Sequence, residues 1–116
     1  MAANEEKVTA LTARRCVPCE GGTPPLAEDH VQRLLASLPD WERDDAAIAR
    51  SFTFKGYGQT MAFVGAVSWV SQREGHHPDL EVGYNRCRVR YTTHAIGGLS
   101  ENDFICAAKL DLLFGL

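Results

Sequence analysis

No surplus of positive charge runs through this chain: 12 lysines and arginines stand against 15 aspartates and glutamates, for a formal net charge of -3. The arginines are scattered among acidic residues, so there is no basic stripe to neutralise a phosphate backbone, and direct nucleic-acid binding is not expected. Long hydrophobic runs are lacking too. The longest apolar stretch, Met61 to Val70, contains Gly65 and Ser68 and is far too short to span a bilayer, so no membrane role is expected. The first residues lack both the positive start with apolar core of a secretory signal and the arginine-rich, acid-poor make-up of a transit peptide, which points to a cytoplasmic protein. Cysteines number four, and Cys87 and Cys106 fall in periodic segments where a small buried thiol is ordinary. Without an export signal, reduced thiols are expected rather than a disulfide framework.

What is present is enough for one domain. The chain has 116 residues, 45% of them hydrophobic, and a domain of this size buries only about two-thirds of its unfolded surface, so self-association would add useful burial. Residues 1–25 show no sustained periodicity and end in Gly21, Gly22, Thr23, Pro24 and Pro25, which predicts a mobile arm before a domain at 26–116. From Leu26 to Leu38, the helical spacing of Val31, Leu34, Leu35 and Leu38 predicts a helix that Pro39 stops. Trp41 to Arg43 and Ala47 to Lys55 flank Asp44 and Asp45 and read as a hairpin. Tyr57 to Glu74 reads as a second helix, with Met61, Val64 and Val67/Ser68 as its apolar stripe, Phe63 and Val70 broadening it, and Gly75 as a left-handed cap. A second hairpin follows, Leu80 to Tyr84 and Cys87 to Tyr91, turning at Asn85 and Arg86. Ser100 and Asp103 have capping-box spacing and open a third helix to about Phe114. The order α-β-β-α-β-β-α predicts an α+β fold, a four-stranded antiparallel sheet with helices packed on one face.

Histidine carries the chemistry. His76 and His77 leave a helix end, and His94 closes the strand paired with the one that follows them, so the element order can bring the three together. His94 shares parity with Arg88, Arg90 and Thr92 rather than with Cys87, Val89 and Tyr91, which predicts that it faces solvent or a cleft. Three histidines could also hold zinc. Adjacent side chains on an extended backbone point apart, however, and no H-x-x-x-H pair exists, so acid/base use is the favoured reading and no metal is expected. The alternative of exposed linker residues stays open on spacing alone. Cys16 and Cys19 form a C-x-x-C pair in the arm, away from a strand-to-helix context and a second ligand pair, and are read as no site, open to a transient disulfide. Asp103 has a structural role as the third residue of the capping box, and Arg86, Arg88 and Arg90 read as a solvated strand face.

Over about residues 26 to 114 the sequence resembles the pterin-4a-carbinolamine dehydratases. The resemblance lies in Gly75-His76-His77-Pro78, Tyr84-Asn85, Thr93-His94, Gly98-Leu99-Ser100 and Asp103, with Trp41 and Phe52 to Lys55 falling where similar residues occur. It implies the same α+β fold, as a homodimer whose sheets join or a homotetramer of such dimers. The activity implied is loss of the 4a-hydroxyl from 4a-hydroxytetrahydropterin to give quinonoid dihydropterin, without a cofactor, in recycling the cofactor of aromatic amino-acid hydroxylases. By position, the resemblance makes His76 and His94 the catalytic proton-transfer residues, with His77, Pro78, Thr93 and Asp103 binding or supporting the pterin. Some members of the family also bind transcription factors and stabilise their dimers, so an interaction protein is the rival reading. At one position the chain departs from the family, which usually carries an acidic residue where Gln72 stands; an amide there can orient a histidine but adds no charge.

Overall fold

Polar turns and helix caps cut the chain within a residue or two of where the sequence pattern places them. The computed structural model describes residues 11–115. Its elements are α1 (Glu28–Ala36), β1 (Glu42–Asp44), β2 (Ala47–Thr53), α2 (Tyr57–Glu74), β3 (Asp79–Val82), β4 (Arg86–Tyr91), a short 3-10 turn (His94–Ile96) and α3 (Glu101–Phe114). The sheet is antiparallel throughout, in the order β1-β2-β4-β3, so the two hairpins are joined by pairing of their inner strands. This is the α+β architecture expected from the pattern.

Register decides which residues meet the helices. Ile48 pairs with Tyr91 and Phe52 with Cys87, and all four are buried. Since residues directly opposite share a face, the same face carries Arg50 beside Val89. Arg50 therefore enters a mainly apolar layer, where its guanidinium lies 2.6 Å from Asp111 Oδ1 on α3 and 4.3 Å from the Phe52 ring centroid. Trp41 donates from Nε1 to the same carboxylate oxygen at 2.8 Å. Burial pushes the Asp111 carboxyl up, against the hydrogen bonds from Trp41 and Arg50. On the other face Arg88 and Arg90 are half-buried rather than simply solvated, and both reach Asp44 Oδ2, at 3.2 and 3.0 Å.

α2 covers the sheet with a different stripe from the one the spacing suggests. Its buried residues are Thr60, Phe63, Val67, Val70 and Glu74, whereas Met61 and Ser68 are exposed. Apolar residues lie almost all the way round this helix, so its own periodicity does not single out a face; contact with Phe52, whose ring centroid is 4.6 Å from that of Phe63, does. The β3–β4 turn also sits one residue earlier than expected, because Gly83 N–H donates to Arg86 O at 2.8 Å and leaves Tyr84 and Asn85 at the tip.

Candidate active site

Two interruptions of regular structure build the site. α2 ends because Gly75 takes φ 66°, with its N–H turned back to Ser71 O, and His76 and His77 leave the helix in extended chain. At the same end of the sheet, where Asp79 pairs with Arg90, β4 stops at Tyr91, and Thr93 N–H donates to Gly98 O at 3.0 Å, closing the residues between into the 3-10 turn. His94 therefore opens that turn rather than closing the strand. It is exposed toward the cleft, as expected, but the turn rather than strand alternation places it there.

The third contribution is the N-terminus of α3. Asp103 is fully buried, and its Oδ1 lies 2.7 Å from His76 Nε2. Its Oδ2 accepts the Thr93 hydroxyl at 2.8 Å and Ser100 N–H at 2.9 Å, and the Thr93 and Ser100 hydroxyls are 2.7 Å apart. Against a carboxylate, Nε2 is the donor, which leaves Nδ1 as the ring nitrogen for the pocket. Tyr91 stacks on the imidazole, with centroids 5.8 Å apart and planes at 10°, so the ring is held by its edge and by its face.

His76, His77, Thr93 and His94 line one cavity of about 410 Å³. That volume lies in the usual range for a small-molecule site. Three of the other expected site residues lie elsewhere. Asp103 is behind His76 rather than on the cavity wall, Pro78 is half-buried outside it, and Gln72 is exposed and borders a second cavity with Ser68, Ser71, His76 and His77. Among the described residues, no three His, Cys, Asp or Glu side chains converge as a metal-ligand set.

The fourth wall comes from the segment expected as a mobile arm. Residues 1–10 lie outside the described residues, but Arg15 to Cys19 form a strap fixed to α2 and α3. Cys16 N–H donates to Glu74 Oε1 at 2.9 Å and Arg15 Nε lies 3.1 Å from Glu74 Oε2, while Lys109 reaches the same carboxylate at 2.8 Å. Asn102 clamps Val17 by both backbone groups, accepting its N–H at 3.1 Å and donating to its carbonyl at 2.6 Å. Arg14 adds an ion pair with Glu101, and the Cys16 and Cys106 thiols are 3.5 Å apart. Pattern reading missed this because the strap's bonds go to side chains more than 50 residues away. One signal was there: Glu74 ends its helix with the charge that the helix dipole disfavours, as a residue held by tertiary partners would.

Burial alone would push the Glu74 carboxyl up. The hydrogen bonds from Lys109 and Cys16 N–H and the Lys109 charge overcome it and hold the pKa down at about 2, from an ordinary 4.5. A depressed carboxylate contributes stability that is complete above the unfolded value and is lost as pH falls through the folded one. The expected result is a melting temperature that falls between about pH 4.5 and pH 2, with a shallower fall in Glu74→Gln; equal slopes in a pH series of thermal melts would remove Glu74 as a source of acid lability.

Residues 24–113 match the model of the family described as pterin 4 alpha carbinolamine dehydratase. The chain belongs to this family. A Nitrosomonas eutropha protein provisionally named a pterin-4-alpha-carbinolamine dehydratase is 64% identical to it, over 89% of this chain and 92% of the relative. A Nitrosomonas europaea protein with the same provisional name is 62% identical, over 92% of this chain and 96% of its own. Among solved structures, the transcriptional coactivator/pterin dehydratase from Brucella melitensis superposes with a TM-score of 0.74 at 31% identity, covering 77% of this chain and 97% of that one. A pterin dehydratase-like protein identified as a RuBisCO assembly factor of the alpha-carboxysome superposes with a TM-score of 0.55 at 26% identity, over 65% of this chain and 87% of its own. The family model begins at residue 24, beyond the strap, while the two Nitrosomonas relatives match over a span that includes it.

Proposed function

We propose that this pocket dehydrates 4a-hydroxytetrahydropterin to quinonoid dihydropterin, with His76 and His94 moving the protons. The observation that carries the reading is that imidazoles from two separate parts of the chain line one cavity, with one of them 2.7 Å from a buried carboxylate. Elimination breaks the C4a–O bond, forms a C4a=N5 double bond, removes the N5 proton and delivers a proton to the departing hydroxyl. His76, donating from Nε2 to Asp103, presents Nδ1 as the base for the N5 proton. His94, exposed at the cleft, donates to the leaving hydroxyl and recharges from solvent. Imidazole does both jobs near neutrality, and positioned acid/base groups typically contribute about 10²–10⁴ in rate. His77 and Thr93 line the cavity and position the pterin.

The test is stopped-flow decay of a synthetic 4a-carbinolamine. Decay is expected to be faster with the protein; a folded protein without effect on the decay would move the assignment to a binding role. In the same assay Gln72→Glu is expected to raise kcat a few-fold, since a carboxylate beside the cavity bordered by His76 and His77 stabilises the imidazolium that forms as His76 takes the N5 proton. An unchanged or lower rate would show that residue 72 is not coupled to proton transfer.

The proposed setting is cytoplasmic recycling of the pterin used by aromatic amino-acid hydroxylases, without a cofactor. Among the described residues no helix is long and apolar enough to cross a membrane. Edge strand β3 exposes Val82, with Tyr84 exposed just beyond it, which supports a homodimer with joined sheets; pairing of such dimers would give a homotetramer. The second reading, an interaction protein that stabilises a partner's dimer, is favoured by exposed Tyr57, Met61 and Trp69 on α2 and by the functions named for the two solved structures.

A further inference from the structure

Resting on the dehydratase reading of the pocket, we infer that the strap Arg15–Cys19 is a working part of the substrate site and that Val17 is its apolar cover over the bound pterin. The family model begins after this segment, at residue 24, whereas the similarity to the Nitrosomonas relatives, over 89% and 92% of this chain, takes it in. Two nearly buried polar side chains on two different helices, Glu74 and Asn102, are aimed at the strap's backbone. Asn102 takes both the N–H and the carbonyl of Val17 itself, which fixes the direction of the Val17 side chain more tightly than a surface segment ordinarily requires.

The side chain so fixed is nevertheless 65% exposed, and it lines the cavity that also holds His76, His77 and His94. An ordered apolar group left exposed in a cavity wall gains burial when a ligand covers it. A tetrahydropterin suits that geometry, since it is a thin bicycle with polar groups around its edge and broad faces. The imidazoles serve the C4a–N5 edge, and Val17 with Pro18 meets carbon surface. Covering the ring also keeps bulk water from adding back across the new C4a=N5 bond. Removing the greater part of a valine side chain from such a contact corresponds to about a tenfold loss of affinity.

The experiment uses the full-length protein and two readouts, steady-state dehydration of the synthetic carbinolamine and fluorescence-detected binding of 7,8-dihydrobiopterin as a stable probe. Val17→Ser is expected to raise KM and the probe's Kd about tenfold while kcat changes less than threefold, and Val17→Leu to restore both. Asn102→Ala, checked for folding by circular dichroism, is expected to weaken probe binding similarly by freeing the strap. Val17→Ser with KM and Kd within twofold of the parent, or with a loss confined to kcat, overturns the assignment of the strap. A parent protein that neither binds the probe nor speeds the decay removes the dehydratase reading itself, and the strap's role with it.

Discussion

Replacing both His76 and His94 with alanine is expected to return carbinolamine decay to its uncatalysed rate. The reaction proceeds without an enzyme, so what the protein adds is positioned proton transfer, of order 10²–10⁴. His76→Ala removes the base and leaves Asp103 with its Thr93 and Ser100 partners, enough to keep α3 capped. His94→Ala removes an exposed side chain and leaves the Gly97-capped turn intact. Because the two groups act in one step, each single variant is expected to lose most of the acceleration, and the double variant little more than the worse single one. Stopped-flow traces alongside thermal melts separate loss of chemistry from loss of fold. A folded double variant that still accelerates the decay would end the proton-transfer assignment for these residues.

The second large effect is expected from Asp103→Asn, which keeps the shape and reverses one hydrogen bond. Asparagine can still accept from Ser100 N–H and Thr93 Oγ1 through its carbonyl, so the cap survives. Its other terminus, however, is an amide donor facing His76 Nε2. The imidazole must then accept at Nε2 and carry its proton on Nδ1, the nitrogen left for the pocket, and so ceases to be a base. The expected result is a fall in kcat of about 10²–10⁴, with stability reduced by only about 1–3 kcal/mol. Nitrogen NMR of the His76 ring is expected to report the exchange of tautomers, a change that a purely structural role for Asp103 would not produce. Unaltered kcat in a folded Asp103→Asn protein would show that the tautomer set by this carboxylate is irrelevant to the reaction.

Local features were legible wherever the cause was local. α2 begins and ends at Tyr57 and Glu74 as its pattern and Gly75 dictate, and the Ser100–Asp103 capping box forms. Strand parity correctly marked Cys87, Val89 and Tyr91 as buried, while His94, expected to close that strand, is exposed from the 3-10 turn beyond it. The family resemblance, carried by the His-His-Pro, Thr-His and Gly-Leu-Ser spacing, agrees with the family match over 24–113. Misread features were those in which several local patterns were equally good. The stripe of α2 came out rotated because apolar residues ring the helix.

By itself, then, the sequence determined the elements, their order and a set of histidines at element ends, because helix caps, turns and strand alternation depend on neighbours a few residues apart. Only the tertiary structure decided that Asp103 stands behind His76 instead of on the pocket wall, that Gln72 borders a separate cavity, and that Arg15 to Cys19 strap the site through Glu74 and Asn102. Those arrangements rest on hydrogen bonds between groups far apart in the chain, whose direction is set by how the helices pack on the sheet, and no short-range periodicity encodes it.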